Sequence, residues 1–167
     1  MKDSGVEWIG EIPDGWDIRK MKFSCSHITD GSHFSPPTDV CGRKYLTAGN
    51  IIHEEVDVDN ANFISEEDFQ LLVKNGCQPQ IGDVLLTKDG SVGRSAVVDS
   101  NNYVVLSSIG ILSPNSDVNN KFLKYSLDSK YLQEQMLCSM DGSALRRITL
   151  TKIKEYFILT PDINRQI

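Results

Sequence analysis

No apolar run in this chain lasts long before a Gly, a Pro or an Asp-Gly pair interrupts it. That punctuation constrains the fold more than any other feature. The elements must be short and joined by tight turns, and no stretch approaches the ~20 apolar residues that span a bilayer. Residues 8–16 enclose Gly10, Pro13 and Gly15 between two tryptophans and read as an extended, turn-rich lead-in. Residues 16–23 alternate loosely and fit either a strand or a short helix. Asp30-Gly31 and Pro36-Pro37 make residues 29–37 a loop.

Beyond that loop the pattern becomes readable. Ser65 followed by Glu66, Glu67 and Asp68 predicts a helix start, a capping serine with acids in the first turn. Phe69, Leu72 and Val73 share its face and Gly76 ends it. Residues 83–87 and 95–98 predict two strands joined through Asp89-Gly90-Ser91, and 103–106 and 109–112 predict two more. Asn119 or Asn120 caps the longest predicted helix, whose apolar face runs from Phe122 to Leu137. Residues 151–157 form a short amphipathic piece. Strands outnumber helices and most neighbours read as antiparallel. The expected class is α+β, a mostly antiparallel, curved sheet with a few helices.

At 167 residues the chain is long enough for one domain with its own core, without metal or disulfide staples. Cys25, Cys41, Cys77 and Cys138 have no zinc-knuckle spacing and are expected to be free thiols. Met1 to Gly5 lack the apolar middle of a signal peptide, so the expected location is cytoplasmic, with no membrane contact. The net charge of −6 argues against a nucleic-acid partner. Its distribution weakens the objection. Seven acids lie between Glu54 and Asp68 with no Lys or Arg among them, and elsewhere 17 basic residues face 16 acids. A solvated acidic face accounts for that segment and leaves room for a basic face elsewhere.

Catalytic signatures are missing or imperfect. Gly90-Ser91-Val92-Gly93-Arg94 lacks the Gly-Lys-Ser/Thr ending of a phosphate loop and suits a tight turn. Ser35-Pro36-Pro37-Thr38 departs at both ends from the methyltransferase Asn/Asp-Pro-Pro-aromatic motif. Asp117, Asp128 and Lys130 have the loosest nuclease spacing, but Asp128 and Lys130 fall in the predicted long helix, where side chains two apart diverge. His27, His33 and His53 stand in no recognisable signature. No catalytic residue, metal site or cofactor site is therefore expected.

The groups suited to reading DNA lie near Gly and Pro. Arg146 and Arg147 follow Gly142-Ser143 with no acid adjacent in sequence, and Lys152 comes soon after. Arginine forks match phosphate oxygens and the O6/N7 edge of guanine. Lys88 and Arg94 flank the Asp-Gly turn, and Ser32, His33, Thr47 and Asn50 sit where loop side chains project. The candidate DNA-binding set is thus Ser32, His33, Thr47, Asn50, Lys88, Arg94, Ser143, Arg146, Arg147 and Lys152. Composition alone also allows a solvated surface.

As a set these motifs resemble the specificity subunits of type I restriction-modification enzymes. Glu7-Trp8-Ile9-Gly10-Glu11-Ile12-Pro13-Asp14-Gly15-Trp16 resembles their common start. Asp30-Gly31-Ser32-His33 before prolines, Tyr45-Leu46-Thr47-Ala48-Gly49-Asn50-Ile51, and the stretch from Gly82 through Lys88-Asp89-Gly90 to Arg94 resemble later family motifs in the right order. Gly142-Ser143, Ile153 and Thr160 to Ile167 resemble the close of a recognition domain, where a spacer helix begins. The resemblance implies a target recognition domain over 1–161 and the start of a truncated spacer helix over 162–167. It implies a non-catalytic chain that reads one half of a bipartite site in double-stranded DNA. Partners would be the methyltransferase and restriction subunits, which would hold S-adenosylmethionine, ATP and magnesium. A complete spacer would permit self-association. Two alternatives stay open, a fragment of a stand-alone DNA adenine methyltransferase and a protein-only scaffold.

Overall fold

The computed structural model describes residues 1–52, 54–140 and 146–166. In chain order its elements are β1 (Lys2–Asp3), β2 (Glu11–Ile12), β3 (Trp16–Lys20), α1 (Met21–Ser24), β4 (Cys25–Asp30), β5 (Arg43–Leu46), β6 (Ile51–Ile52), β7 (Glu55–Val56) and β8 (Asn62–Ile64). Then follow α2 (Glu66–Lys74), β9 (Val84–Thr87), β10 (Ser95–Val97), β11 (Tyr103–Val105), β12 (Ile109–Pro114), α3 (Asn120–Asp128), α4 (Lys130–Ser139), α5 (Leu150–Glu155) and β13 (Phe157–Pro161). The α+β expectation holds, with mainly antiparallel pairing. Residues 16–23 contain both of the structures that their sequence allowed, a strand and then one helical turn.

The central sheet has the order β10-β9-β12-β4 and is antiparallel throughout. Both faces of β9 are buried, which is why Val84-Leu85-Leu86 is continuously apolar rather than alternating. Val84, Leu86 and Leu112 pack on one side against Leu123 and Leu127 of α3, Leu132 and Met136 of α4 and Ile153 of α5. Leu85, Ile109 and Ile111 point the other way, into a second core with Leu46, Tyr103 and Val105. A three-stranded sheet, β11-β5-β8, forms that opposite wall. Its outer face, through Tyr45, Ile64 and Val104, takes up Phe69 and Leu72 of α2. The layers therefore run helix, sheet, sheet, helix. Among the described strands β5 and β11 pair parallel and are far apart in sequence, and the parallel bridge Ser32–Leu106 continues beside them.

The long helix expected from Asn119 to Leu137 is two helices. Ser129 adopts an extended conformation (φ −62°, ψ 145°) and its hydroxyl accepts the Leu132 amide as the cap of α4. The same hydroxyl donates to Ser126 O at 2.6 Å. Serine offers the backbone this alternative to a continuous helix, and the bend lets both apolar stripes reach one core. Two helix starts conform to expectation: Ser65 caps α2 through the Asp68 amide, and Asn119 caps α3.

All four cysteines are free thiols, with Cys25 and Cys77 buried and Cys41 and Cys138 exposed. Burial pushes the Cys25 thiol up to about 12, and burial raises Cys77 too. At pH 8 an alkylating reagent should label Cys41 and Cys138 promptly and leave Cys25 and Cys77 until the chain unfolds. Peptide mass spectrometry of native and urea-treated protein checks this. Prompt labelling of Cys25 in the native protein is incompatible with this core.

Near the C-terminus, β13 pairs antiparallel with β3, returning the chain to its start. Lys20 and Lys22 both donate to Glu155 of α5, and these two ammonium groups hold its carboxyl down at about 2. Ile163–Arg165 is a single 3-10 turn. Gln166 is buried against the α3 cap: Oε1 accepts the Asn119 amide, and Nε2 donates to Asp117 O and Pro161 O.

Candidate nucleic-acid interface

Four loops converge at one end of the central sheet, and backbone pairing explains why. β4 and β9 both run antiparallel to β12, so their ends flank its beginning. Gly31 N donates to Ile109 O at 3.2 Å on one side, and Lys88 N to Ser108 O at 2.9 Å on the other. The parallel strands β5 and β11 end nearby. Leu106 N donates to Leu46 O, and Ser32 is joined to β11 and its outgoing loop by Ser32 N→Val105 O and Ser107 N→Ser32 O. The fourth segment is remote in sequence. Gly90 N donates to Arg146 O and Ile148 N to Lys88 O, both at 2.9 Å, so residues 146–148 pair with the chain leaving β9.

Gly31 lets the loop lie this close to β11. A Cβ at that position would sit 2.0 Å from Val105 O and 2.5 Å from Leu106 O, both backbone atoms. Gly93 does similar work at the turn between β9 and β10. Its backbone is left-handed (φ 95°) and its carbonyl accepts from Gln133 Nε2 at 2.8 Å.

Three of the residues expected to face DNA serve as internal brackets of these loops. Ser32 is buried; its hydroxyl donates to Phe34 O and accepts the Phe34 amide. Asn50 is also buried, with Oδ1 accepting from Thr47 N at 3.0 Å and Nδ2 donating to Asp57 O. Thr47 is half-buried and its hydroxyl donates to Asn50 Oδ1 at 3.3 Å. Ser108 ties this turn to the rim by accepting the Ala48 amide at 3.1 Å.

Lys88 is buried as well. Its Nζ lies 3.2 Å from Asp30 Oδ2 and 3.8 Å from Asp89 Oδ2, the compensation that a desolvated ammonium requires. His33, Arg94, Arg146 and Arg147 are exposed. His33 Nε2 is 3.2 Å from Asp30 Oδ1, Arg147 Nε donates to Asp89 Oδ1 at 2.7 Å, and an Arg94 terminal nitrogen donates to Ile51 O at 3.4 Å. The arginine pair does have an acidic neighbour, Asp89, supplied from 58 positions away, which sequence adjacency does not reveal. Lys152 stands apart on α5, half-buried, with Nζ donating to Ser139 O at the end of α4. Ser143 lies outside the described residues.

The acids that organise the rim, Asp30 and Asp89, were absent from the expected set. Each precedes a glycine at the end of a central strand, and the shared Asp-Gly pair reads locally as a turn signal only. The loose nuclease constellation is not assembled: Asp117 pairs with Arg19, Asp128 with Lys124, and Lys130 with Glu134. Among the described residues no cluster of His, Cys, Asp and Glu is arranged to hold a metal, and no helix is long and apolar enough to cross a membrane.

Residues 33–167 match the family described as the type I restriction modification DNA specificity domain. The chain belongs to that family. This specificity domain also resembles solved chains at low identity. One is from a study of complex assembly and conformational transition of the type I R-M system, with TM-score 0.68, 19% identity, 96% of this chain and 38% of that chain covered. A second is the HsdS subunit from Thermoanaerobacter tengcongensis, with TM-score 0.65, 20% identity and coverage of 94% and 36%. A third is the type I S subunit from M. genitalium, with TM-score 0.62, 17% identity and coverage of 93% and 37%. The specificity domain thus spans little more than a third of these chains, and the likeness concerns the fold. No curated protein matches it.

Proposed function

We propose that this specificity domain reads one half of a bipartite site in double-stranded DNA and directs methyltransferase and restriction subunits to it, without catalysis of its own. S-adenosylmethionine, ATP and magnesium would then be held by those partners, in the cytoplasm. The observation that carries the reading is the rim itself. Arg94, Arg146, Arg147 and His33 are exposed on loops whose backbones are pinned to the ends of buried strands. Arginines on pinned loops suit both tasks of an interface, phosphate contacts that set register and forked contacts to base edges in the major groove.

The test is a fluorescence anisotropy titration of the 167-residue chain with duplex DNA across several salt concentrations. With one half-site's worth of contacts the chain is expected to bind weakly, in the non-specific range of roughly 10⁻⁴–10⁻⁶ M at physiological salt. Arg146→Ala should weaken it. A phosphate contact lowers the salt slope by about 0.9 on every sequence, whereas a base contact costs about 1–3 kcal/mol on selected sequences only. No binding at low salt by the wild-type chain, or wild-type slopes and affinities in variants of all three arginines, refutes the reading.

A further inference from the structure

The two acids under the rim face a single amine. Lys88 has a side chain only 8% exposed, and its Nζ lies between Asp30 Oδ2 and Asp89 Oδ2. The second oxygen of each carboxylate holds a side chain on the surface: Asp30 Oδ1 meets His33, and Asp89 Oδ1 meets Arg147. The result is a continuous chain, His33–Asp30–Lys88–Asp89–Arg147, with the buried cation at its centre.

We propose that Lys88 is a positioning residue: it does not touch DNA, and it fixes His33 and Arg147 together on one reading rim through Asp30 and Asp89. The proposal rests on the DNA reading given above and deepens it. The two carboxylates have side chains only 12% and 15% exposed. Without the ammonium they would be poorly hydrated anions on adjoining loops, and their mutual repulsion would drive those loops apart. With it, each carboxylate has one oxygen committed inward and the other aimed outward. Asp89 engages Arg147 through Nε, one of five N–H donors on the guanidinium, so the fork is oriented while most of its donors remain for a DNA acceptor. A lysine this enclosed by two acids is badly placed to neutralise a phosphate itself.

Arginine side-chain NMR and duplex binding test this on the full 167-residue chain. The variants are Lys88→Met, Lys88→Arg, Arg147→Ala and the Lys88→Met/Arg147→Ala double. In wild-type protein the Arg147 Nε–Hε resonance, identified by its loss in Arg147→Ala, should be slow to exchange. It should move to the position of a solvated arginine in Lys88→Met and stay in Lys88→Arg. Lys88→Met and Arg147→Ala should each weaken duplex binding on the order of tenfold, and the double variant little further. An unchanged Arg147 resonance in Lys88→Met overturns the proposal. So do additive losses with the salt slope falling by a further ~0.9, because the ammonium would then sit on a phosphate. Lys88→Gln, which keeps a donor without the charge, replaces the methionine variant if that one does not fold. If the wild-type chain binds no duplex while the resonance still follows Lys88, the DNA reading fails and the positioning role stands.

Discussion

Gly31→Ala should be among the most damaging single substitutions in this chain. The new methyl would lie 2.0 Å from Val105 O and 2.4 Å from Val105 C, and neither atom belongs to a flexible side chain. Either the loop after β4 or the end of β11 must move. That movement breaks Ser32 N→Val105 O and Ser107 N→Ser32 O, the bonds that close the rim. Forced backbone shifts of this kind cost about 3 kcal/mol, the upper end of the range for overpacking. For a chain of this size that lowers the melting temperature by roughly 6–12 °C. Gly49→Ala is the matched control. Its nearest new neighbour is Thr47 Oγ1 at an ordinary 3.6 Å, and its effect should stay within about 0.5 kcal/mol. Calorimetry on both variants decides the matter. Equal melting temperatures for Gly31→Ala and wild type mean that the loop and β11 are not in this contact.

Gly31 also shows where sequence reading stops. Asp30-Gly31 reads as a turn from its residue types, which is correct but incomplete. The demand for glycine comes from β11, more than 70 residues later, and no local pattern contains it. The strands that were legible are those that announce themselves by composition. Val84-Leu85-Leu86 is apolar on both faces because both faces are covered, and residues 95–97 answer it across an Asp-Gly turn. Short-range hydrogen bonding was legible as well, since Ser65 and Asn119 cap helices through atoms two or three residues away. Failure came where a local preference had two outcomes. Apolar periodicity runs unbroken through Ser129, and local bonds divide α3 from α4: the Ser129 hydroxyl with its two backbone partners, and Gln133 Nε2 donating to Leu127 O.

The candidate interface divides in the same way. Glycine-rich loops carrying arginine are visible in sequence, and Arg94, Arg146 and Arg147 are indeed exposed. Residue type does not tell an outward polar side chain from one that brackets its own loop. Ser32 and Asn50 are buried because they bracket their own loops, and Lys88 is buried where the fold brings Asp30 to it. Pairing across the sheet end also brought Asp89 to Arg147, an acidic neighbour that adjacency in sequence does not reveal.

Lys124→Met should produce the second large loss, for electrostatic rather than steric reasons. Lys124 sits on α3 with its side chain 6% exposed, ion-paired with Glu54 and 2.9 Å from Asp128 Oδ2. Asp128 Oδ1 also accepts from Ser95 Oγ at 2.6 Å, so the cluster joins α3 to β10 and to the β6–β7 hairpin. Burial pushes the Lys124 ammonium toward neutrality, and the two carboxylates overcome it, leaving its pKa raised. A raised pKa means that the stabilisation is present at neutral pH and fades only above the ordinary lysine range. Methionine keeps most of the packing volume and removes the charge. Asp128, 27% exposed, is left without its cation, whereas Glu54, 64% exposed, can turn to water. Breaking a fully buried pair costs about 3–5 kcal/mol, and the exposure of Glu54 reduces the expected loss here to about 2 kcal/mol. Adding Asp128→Asn to Lys124→Met should recover much of it, because the one anion then left without the ammonium is Glu54, which water can solvate. The rim should respond too, since Arg94 donates to Ile51 O on the same hairpin, and a released hairpin loosens that arginine. Urea denaturation of wild type, Lys124→Met and the double variant measures the stability terms, and duplex binding measures the second effect. If the single variant unfolds at the wild-type midpoint, or the double variant is weaker than the single, the cluster does not hold the hairpin through charge.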